Sequence, residues 1–126
     1  RILPNGWKGF WKMGAIAHLE ALLKPLGIPI AYREFKPYKG KPVPPPPFLV
    51  YYAEHETGSG ADGKNLYKAL HFVIELYTDA KSCELEESVE QAIRQYEFEK
   101  YEDYIETEQL YMVYWEFDIY EKTRRG

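Results

Sequence analysis

The chain has 126 residues, of which 45% are hydrophobic and 17% aromatic, and it carries 16 Lys and Arg against 20 Asp and Glu for a formal net charge of −4. That length supports one core and therefore one domain over residues 1–126, and the aromatic-rich apolar content argues against disorder throughout. The acidic balance argues against a surface that coats nucleic acid. No run approaches the roughly 18 apolar residues of a membrane span, and the lone Cys83 allows no intrachain disulfide.

In chain order, Phe10, Met13, Ala17 and Ala21 recur near a 3.6-residue period and predict a first helix over 7–23. Asn5 suits its N-cap, while Pro25 and Gly27 stop it. Ile16, Leu19, Leu22 and Leu23 widen the apolar surface, which suits a helix facing both a sheet and a neighbouring subunit. Alternation from Ile28 to Phe35 predicts a first strand, and Pro29, lacking an N–H, places it at a sheet edge. Residues 36–47 hold Pro37, Pro42, Pro44, Pro45, Pro46 and Pro47 and predict a stiff polyproline II-like arm. A second strand is expected over 48–54, from the Phe48-Leu49-Val50-Tyr51-Tyr52 run.

Residues 55–65, with Gly58, Gly60 and Gly63, predict a mobile glycine-rich loop. Gly63-Lys64 is followed by Asn65, so the phosphate-cradling pattern is incomplete. A long central strand is expected over 66–79, with Leu70, Phe72, Ile74 and Leu76 on one face and His71, Glu75 and Tyr77 on the other. Ser82 suits the N-cap of a second helix, whose apolar positions Leu85, Val89, Ala92, Ile93 and Tyr96 leave Glu86, Glu87 and Glu90 toward solvent or a basic partner. Two strands over 98–107 and 110–121 follow, joined through Glu106-Thr107-Glu108-Gln109. On the last, Val113, Trp115, Phe117 and Ile119 face the core with Tyr111, opposite Met112, Tyr114, Glu116, Asp118 and Tyr120. Together these elements predict an α+β fold: a mixed or mainly antiparallel sheet of four to five strands covered by two helices.

Charge is segregated along the chain. Up to Lys41 the basic residues are Arg1, Lys8, Lys12, Lys24, Arg33, Lys36, Lys39 and Lys41, against only Glu20 and Glu34; from Glu84 to Glu108 acidic residues dominate, with only Arg94 and Lys100 opposing them. Opposite potentials of this kind either neutralise within one molecule or orient one copy against another. Chemistry finds little purchase. His71 and Glu75, four apart on a strand, stand roughly 13 Å apart, His55 lies beside Glu54 and Glu56, and neither pair makes a specific acid–base signature. His18, His55 and His71 lack zinc spacing. No catalytic, cofactor-binding or metal-binding residue is expected, and no cofactor.

Four segments resemble the tail-terminator, or tail-completion, proteins of tailed bacteriophages and prophages: Leu26-Gly27-Ile28-Pro29-Ile30-Ala31-Tyr32, Phe48-Leu49-Val50-Tyr51, Val73-Ile74-Glu75-Leu76-Tyr77-Thr78 and Leu110-Tyr111-Met112-Val113-Tyr114-Trp115-Glu116-Phe117. The resemblance extends from Leu19 to Ile119. It implies a ring-forming homo-oligomer, usually a hexamer, that caps the tail tube and helps join the tail to the head connector. Its implied partners are the tail tube protein and the connector protein, with genome DNA passing through without sequence-specific binding. The implied location is the head–tail junction of the virion, after assembly in the bacterial cytoplasm. The competing readings are another head–tail adaptor or a non-phage oligomeric scaffold, with a small enzyme most distant.

Overall fold

The computed structural model describes residues 10–36, 43–59 and 67–120. Helix α1 (Phe10–Leu23) leads into a 3-10 turn (Lys24–Leu26), then β1 (Ile30–Tyr32), β2 (Phe48–Ser59), β3 (Tyr67–Thr78), α2 (Cys83–Ala92), β4 (Glu99–Ile105) and β5 (Leu110–Tyr120). The strands form one open, mixed and mainly antiparallel sheet in the order β1-β2-β3-β5-β4, with only β1 and β2 parallel. This is the α+β architecture expected from the alternation of the strands and the two helical periods.

The local chemistry of the element ends explains the boundaries. Gly27 adopts φ 80° and its N–H bonds the Lys24 carbonyl at 3.2 Å; a side chain there would be strained, so glycine closes the first helix. The Asn5 cap and the onset at Trp7 lie outside the described residues. Ser82 caps α2 as expected, its hydroxyl accepting from the Leu85 N–H at 3.3 Å. The β4–β5 hairpin turns at the expected residues, with the Glu108 and Gln109 N–H groups bonded to the carbonyls of Ile105 and Glu106.

Three expectations are corrected. β1 ends at Tyr32 rather than Phe35, because Arg33 takes φ 75°. The Arg33 guanidinium then donates to the Ala53 carbonyl at 3.0 Å and lies over the Tyr32 and Tyr52 rings. β2 continues five residues past Glu54 to Ser59, since β3 offers a paired edge all the way to Tyr67. The first residues assigned to the glycine-rich loop are therefore strand, and residues 60–65 lie outside the described set. Glu86 is buried rather than solvated, and the basic partner given as the alternative comes from within the chain, as Lys81 and Lys100.

Residues 37–42 of the proline-rich segment also fall outside the described residues; its end, Val43–Pro47, enters β2 through a cis Pro46–Pro47 peptide. The length of that connection follows from topology, because adjacent parallel strands need a return of about a dozen residues or more. Pro29 supplies a carbonyl to the Leu49 N–H at 2.9 Å while needing no donor of its own, so it is tolerated at the start of an edge strand.

Both helices cover the same side of the sheet. Ala15, Leu19 and Leu23 of α1 and Val89 and Ile93 of α2 pack on Leu49, Tyr51, Leu70, Phe72, Ile74, Leu76, Val113, Trp115 and Phe117. An ionic cluster locks α2 to the β4 side of this core. Glu86, 5% exposed, receives Lys81 at 2.6 Å and Lys100 at 2.9 Å. Lys100 reaches Glu90 at 2.8 Å, and Glu90 in turn accepts from the Trp115 indole at 3.1 Å. Burial of Glu86 favours its neutral form, but the bonds from Lys81 and Lys100 outweigh that and hold the carboxyl below its usual value.

Trp115 lies at the centre of these contacts and is fully buried. Its replacement by alanine is expected to cost roughly 3–5 kcal/mol from lost transfer and cavity terms, read as a lowered midpoint in chemical denaturation. A loss under about 1 kcal/mol would contradict this placement of the core.

Candidate functional site: the uncovered sheet face

Among the described residues, the second face of the sheet carries no helix. Strand alternation places Val50 and Tyr52 of β2, His71, Val73, Glu75 and Tyr77 of β3, Met112, Tyr114, Glu116 and Asp118 of β5, and Tyr101 and Asp103 of β4 on it. Val73 is 3% exposed despite the missing helix layer, because neighbouring long side chains roof it. The face is thus an aromatic floor studded with carboxylates rather than an apolar surface awaiting water.

Two of its carboxylates are held by specific donors. Glu75 accepts from the Tyr52 hydroxyl at 2.7 Å and from the Tyr77 hydroxyl at 2.7 Å, one on each oxygen. Burial and then these bonds push both phenols above their ordinary ionisation range. His71 pairs with β5 rather than with Glu75: Nδ1 lies 2.9 Å from Asp118 Oδ1 and Nε2 lies 2.9 Å from Glu116 Oε1. Only the imidazolium donates from both nitrogens, so this arrangement selects the charged ring. Burial alone would lower the His71 pKa, but the bonds to Asp118 and Glu116 outweigh it and the net shift is upward.

A β-bulge explains why two histidines meet here. The register of β2 against β3 slips between Ala53 and His55, after which His55 stands opposite His71. The rings stack at 5.0 Å with 17° between their planes, and Glu54 stands 3.7 Å from His71 and 3.9 Å from His55. Bulges redirect side chains in this way without ending a strand. His71, Glu116 and Asp118 also border an open cleft of about 600 Å³ whose far wall is the segment from Gln95 to Glu99.

The His71 cluster is held in place rather than poised for proton transfer. With both ring nitrogens engaged, His71 has no free lone pair to take a substrate proton. Cys83 is exposed at the start of α2, and His18 packs edge-on against Tyr96, so neither joins the His71 cluster. Among the described residues no set of three or more His, Cys, Asp or Glu side chains is arranged to hold a metal ion. What the face can do is bind: tyrosines give large contact area at low entropic cost, and the carboxylates attract cationic groups while repelling phosphate. Tyr101 stacks on Tyr114 at 5.0 Å, so exposed rings continue to the β4 edge, while Tyr104 meets Tyr111 at 4.9 Å on the helix side of the sheet.

Sequence reasoning placed Glu116 and Asp118 on the non-core face of β5 but did not bring them to His71. That pairing depends on the β3–β5 register, which no local pattern encodes.

No family model matches this chain, and no curated protein sequence does. Among solved structures, a chain in the structure described as the virion of a native gene transfer agent particle is similar, with a TM-score of 0.53 and 15% identity over 79% of this chain and 81% of that one. The shared property is the fold.

The raised His71 pKa gives a signed expectation. A proton bound more tightly in the folded state adds stability that is fully present below about pH 6.5, the value of a free imidazole, and is lost as pH rises through the folded pKa. His71→Asn should therefore flatten the fall in stability above that pH, and NMR of the wild-type ring should give a midpoint above about 6.5. A midpoint below it would remove the ionic reading of the cluster.

Proposed function

We propose that this chain is a structural protein of a phage-like virion, and specifically a tail terminator: a ring, hexameric by resemblance, that ends tube growth and offers the head connector a docking rim. The observation that carries the reading is the fold shared along most of both chains with a component of a gene transfer agent virion. It agrees with the independent likeness of four sequence segments to tail terminators. The architecture supports a binding role, since the uncovered face presents tyrosines and carboxylates and its histidine is clipped by both nitrogens.

The acidic face is also compatible with genome passage. Carboxylates repel the phosphate backbone and so provide no adhesive stops for DNA moving through a ring. The proline-rich residues 36–47 and the segment at 55–65, whose first five residues extend β2, are proposed to contact the neighbouring tail components.

A capping protein added during tube assembly should give tails of defined length bearing one ring at the head-proximal end, visible by electron microscopy. Clean deletion of its gene should give overlong or uncapped tubes that fail to join heads. Normal tail ends and normal head attachment in the deletion would overturn the terminator reading.

A further inference from the structure

Strand β5 outruns its neighbour. The β4–β5 ladder begins at the Glu99–Glu116 pair, so Phe117, Asp118 and Ile119 have no partner from β4. The chain before β4, from Gln95 to Phe98, stands off from them as the far wall of the cleft of about 600 Å³. An open strand edge inside a cleft suits an extended segment, whose backbone can continue the ladder.

The walls define what that segment must carry. Glu97 and Glu99 border the cleft on one side and Glu116 and Asp118 on the other, and none of the residues lining it is Lys or Arg. His71 serves Glu116 and Asp118 together, which leaves an excess of negative charge. Glu99 accepts from the Tyr101 hydroxyl at 2.7 Å rather than from a cation, and Glu97 forms no ion pair among the described residues. Lys100, next to Glu99 in sequence, is turned to Glu86 and Glu90 instead, and Arg94 bonds the Gln91 carbonyl. Tyr96 and Phe98 add aromatic surface, with Tyr96 stacked on Phe117 at 5.0 Å. Carboxylates beside aromatic rings suit lysine and arginine, whose charge pairs with the acid while the stem or guanidinium rests on the ring.

The chain itself supplies such a segment at the rim of the cleft. Tyr120 lines the cleft and is the last described residue. Glu121-Lys122-Thr123-Arg124-Arg125 follows it directly, with three cations against one carboxylate. Five extended residues reach about 17 Å, and β5 from Tyr120 back to Glu116 covers about 13 Å. Turned back over the cleft, the segment brings Arg124 and Arg125 within reach of its carboxylates.

We propose that the cleft beside β5 is a docking site for the chain's own basic segment Lys122–Arg125, which lies back along the open edge and closes it. The proposal stands independently of the virion reading. It gives the acidic cleft its counter-charge, and it gives a bare strand edge the cover that keeps such edges from pairing with other chains.

Heteronuclear NMR of the full chain tests this. Lys122→Gln with Arg124→Gln and Arg125→Gln should shift the amides of Gln95, Glu97 and Glu99, which are remote from the substitutions in sequence. Amides of β2 and β3 away from the cleft should stay in place and report an intact fold. Raising the salt from about 0.05 M to about 1 M should move the wild-type cleft amides toward the same positions, because the attraction is screened. The peptide Lys-Thr-Arg-Arg-Gly, added to the neutralised chain, should restore the wild-type shifts. It should bind the wild-type chain about fivefold more weakly or worse, since the tethered segment competes. Adding Glu97→Gln and Glu99→Gln to the neutralised chain should weaken the peptide by about fivefold or more. Cleft amides that ignore the neutralisation, a peptide that binds wild-type and neutralised chains alike, or a peptide indifferent to the two glutamates would each overturn the proposal. Wild-type cleft shifts that change with protein concentration would overturn it too, by showing the occupant to be a neighbour's segment.

Discussion

Because side chains alternate along a strand, the pairing of β3 with β5 decides two surfaces at once, and the rest of the molecule is arranged around that register. Phe72 opposite Phe117 and Ile74 opposite Trp115 build the covered core, while His71 opposite Asp118 and Glu75 opposite Tyr114 build the exposed face. A slip of one residue would carry every one of these groups to the wrong side. The apolar set under the helices and the His71 clip on the other face oppose that slip from both sides. Trp115 extends the constraint further, since its indole N–H reaches Glu90 and thereby ties the register of the sheet to the position of α2.

The parts of this arrangement that rest on periodicity were legible in the sequence. Leu70, Phe72, Ile74, Val89, Ile93, Trp115 and Phe117 read as core from local spacing alone, and all are buried. Ser82, Gly27 and the turn at residues 106–109 read correctly because capping and turn chemistry act within a few residues. The features that escaped depend on a partner strand. His55, Glu56, Thr57, Gly58 and Ser59 look like loop by composition, yet β3 supplies a ladder that holds them extended. Glu86 looked solvated because its two neutralising lysines come from outside its helix. The bulge that brings Glu54 and His55 to His71 has no local signal at all.

Charge gains a different meaning once the fold is known. The acidic stretch of residues 84–108 divides: Glu86 and Glu90 are consumed by Lys81, Lys100 and Trp115 to hold α2 in place, whereas Asp103 joins Glu54, Glu75, Glu116 and Asp118 on the uncovered face. Neutralisation within the subunit therefore accounts for Glu86 and Glu90, while Glu84 and Glu87 stay exposed on α2. A buried ion pair adds little net stability against an apolar equivalent, so the Glu86 cluster is better understood as fixing the angle of α2 than as strengthening the core.

The uncovered face needs no second layer to stay ordered, because its rings and polar groups already cover one another. Val73 is buried beneath its long neighbours, Tyr52 and Tyr77 both donate to Glu75, and His71 lies between Glu116 and Asp118. Side chains already held in one arrangement lose less freedom when another surface arrives, so this face is pre-organised for contact by the same register that builds the core behind it.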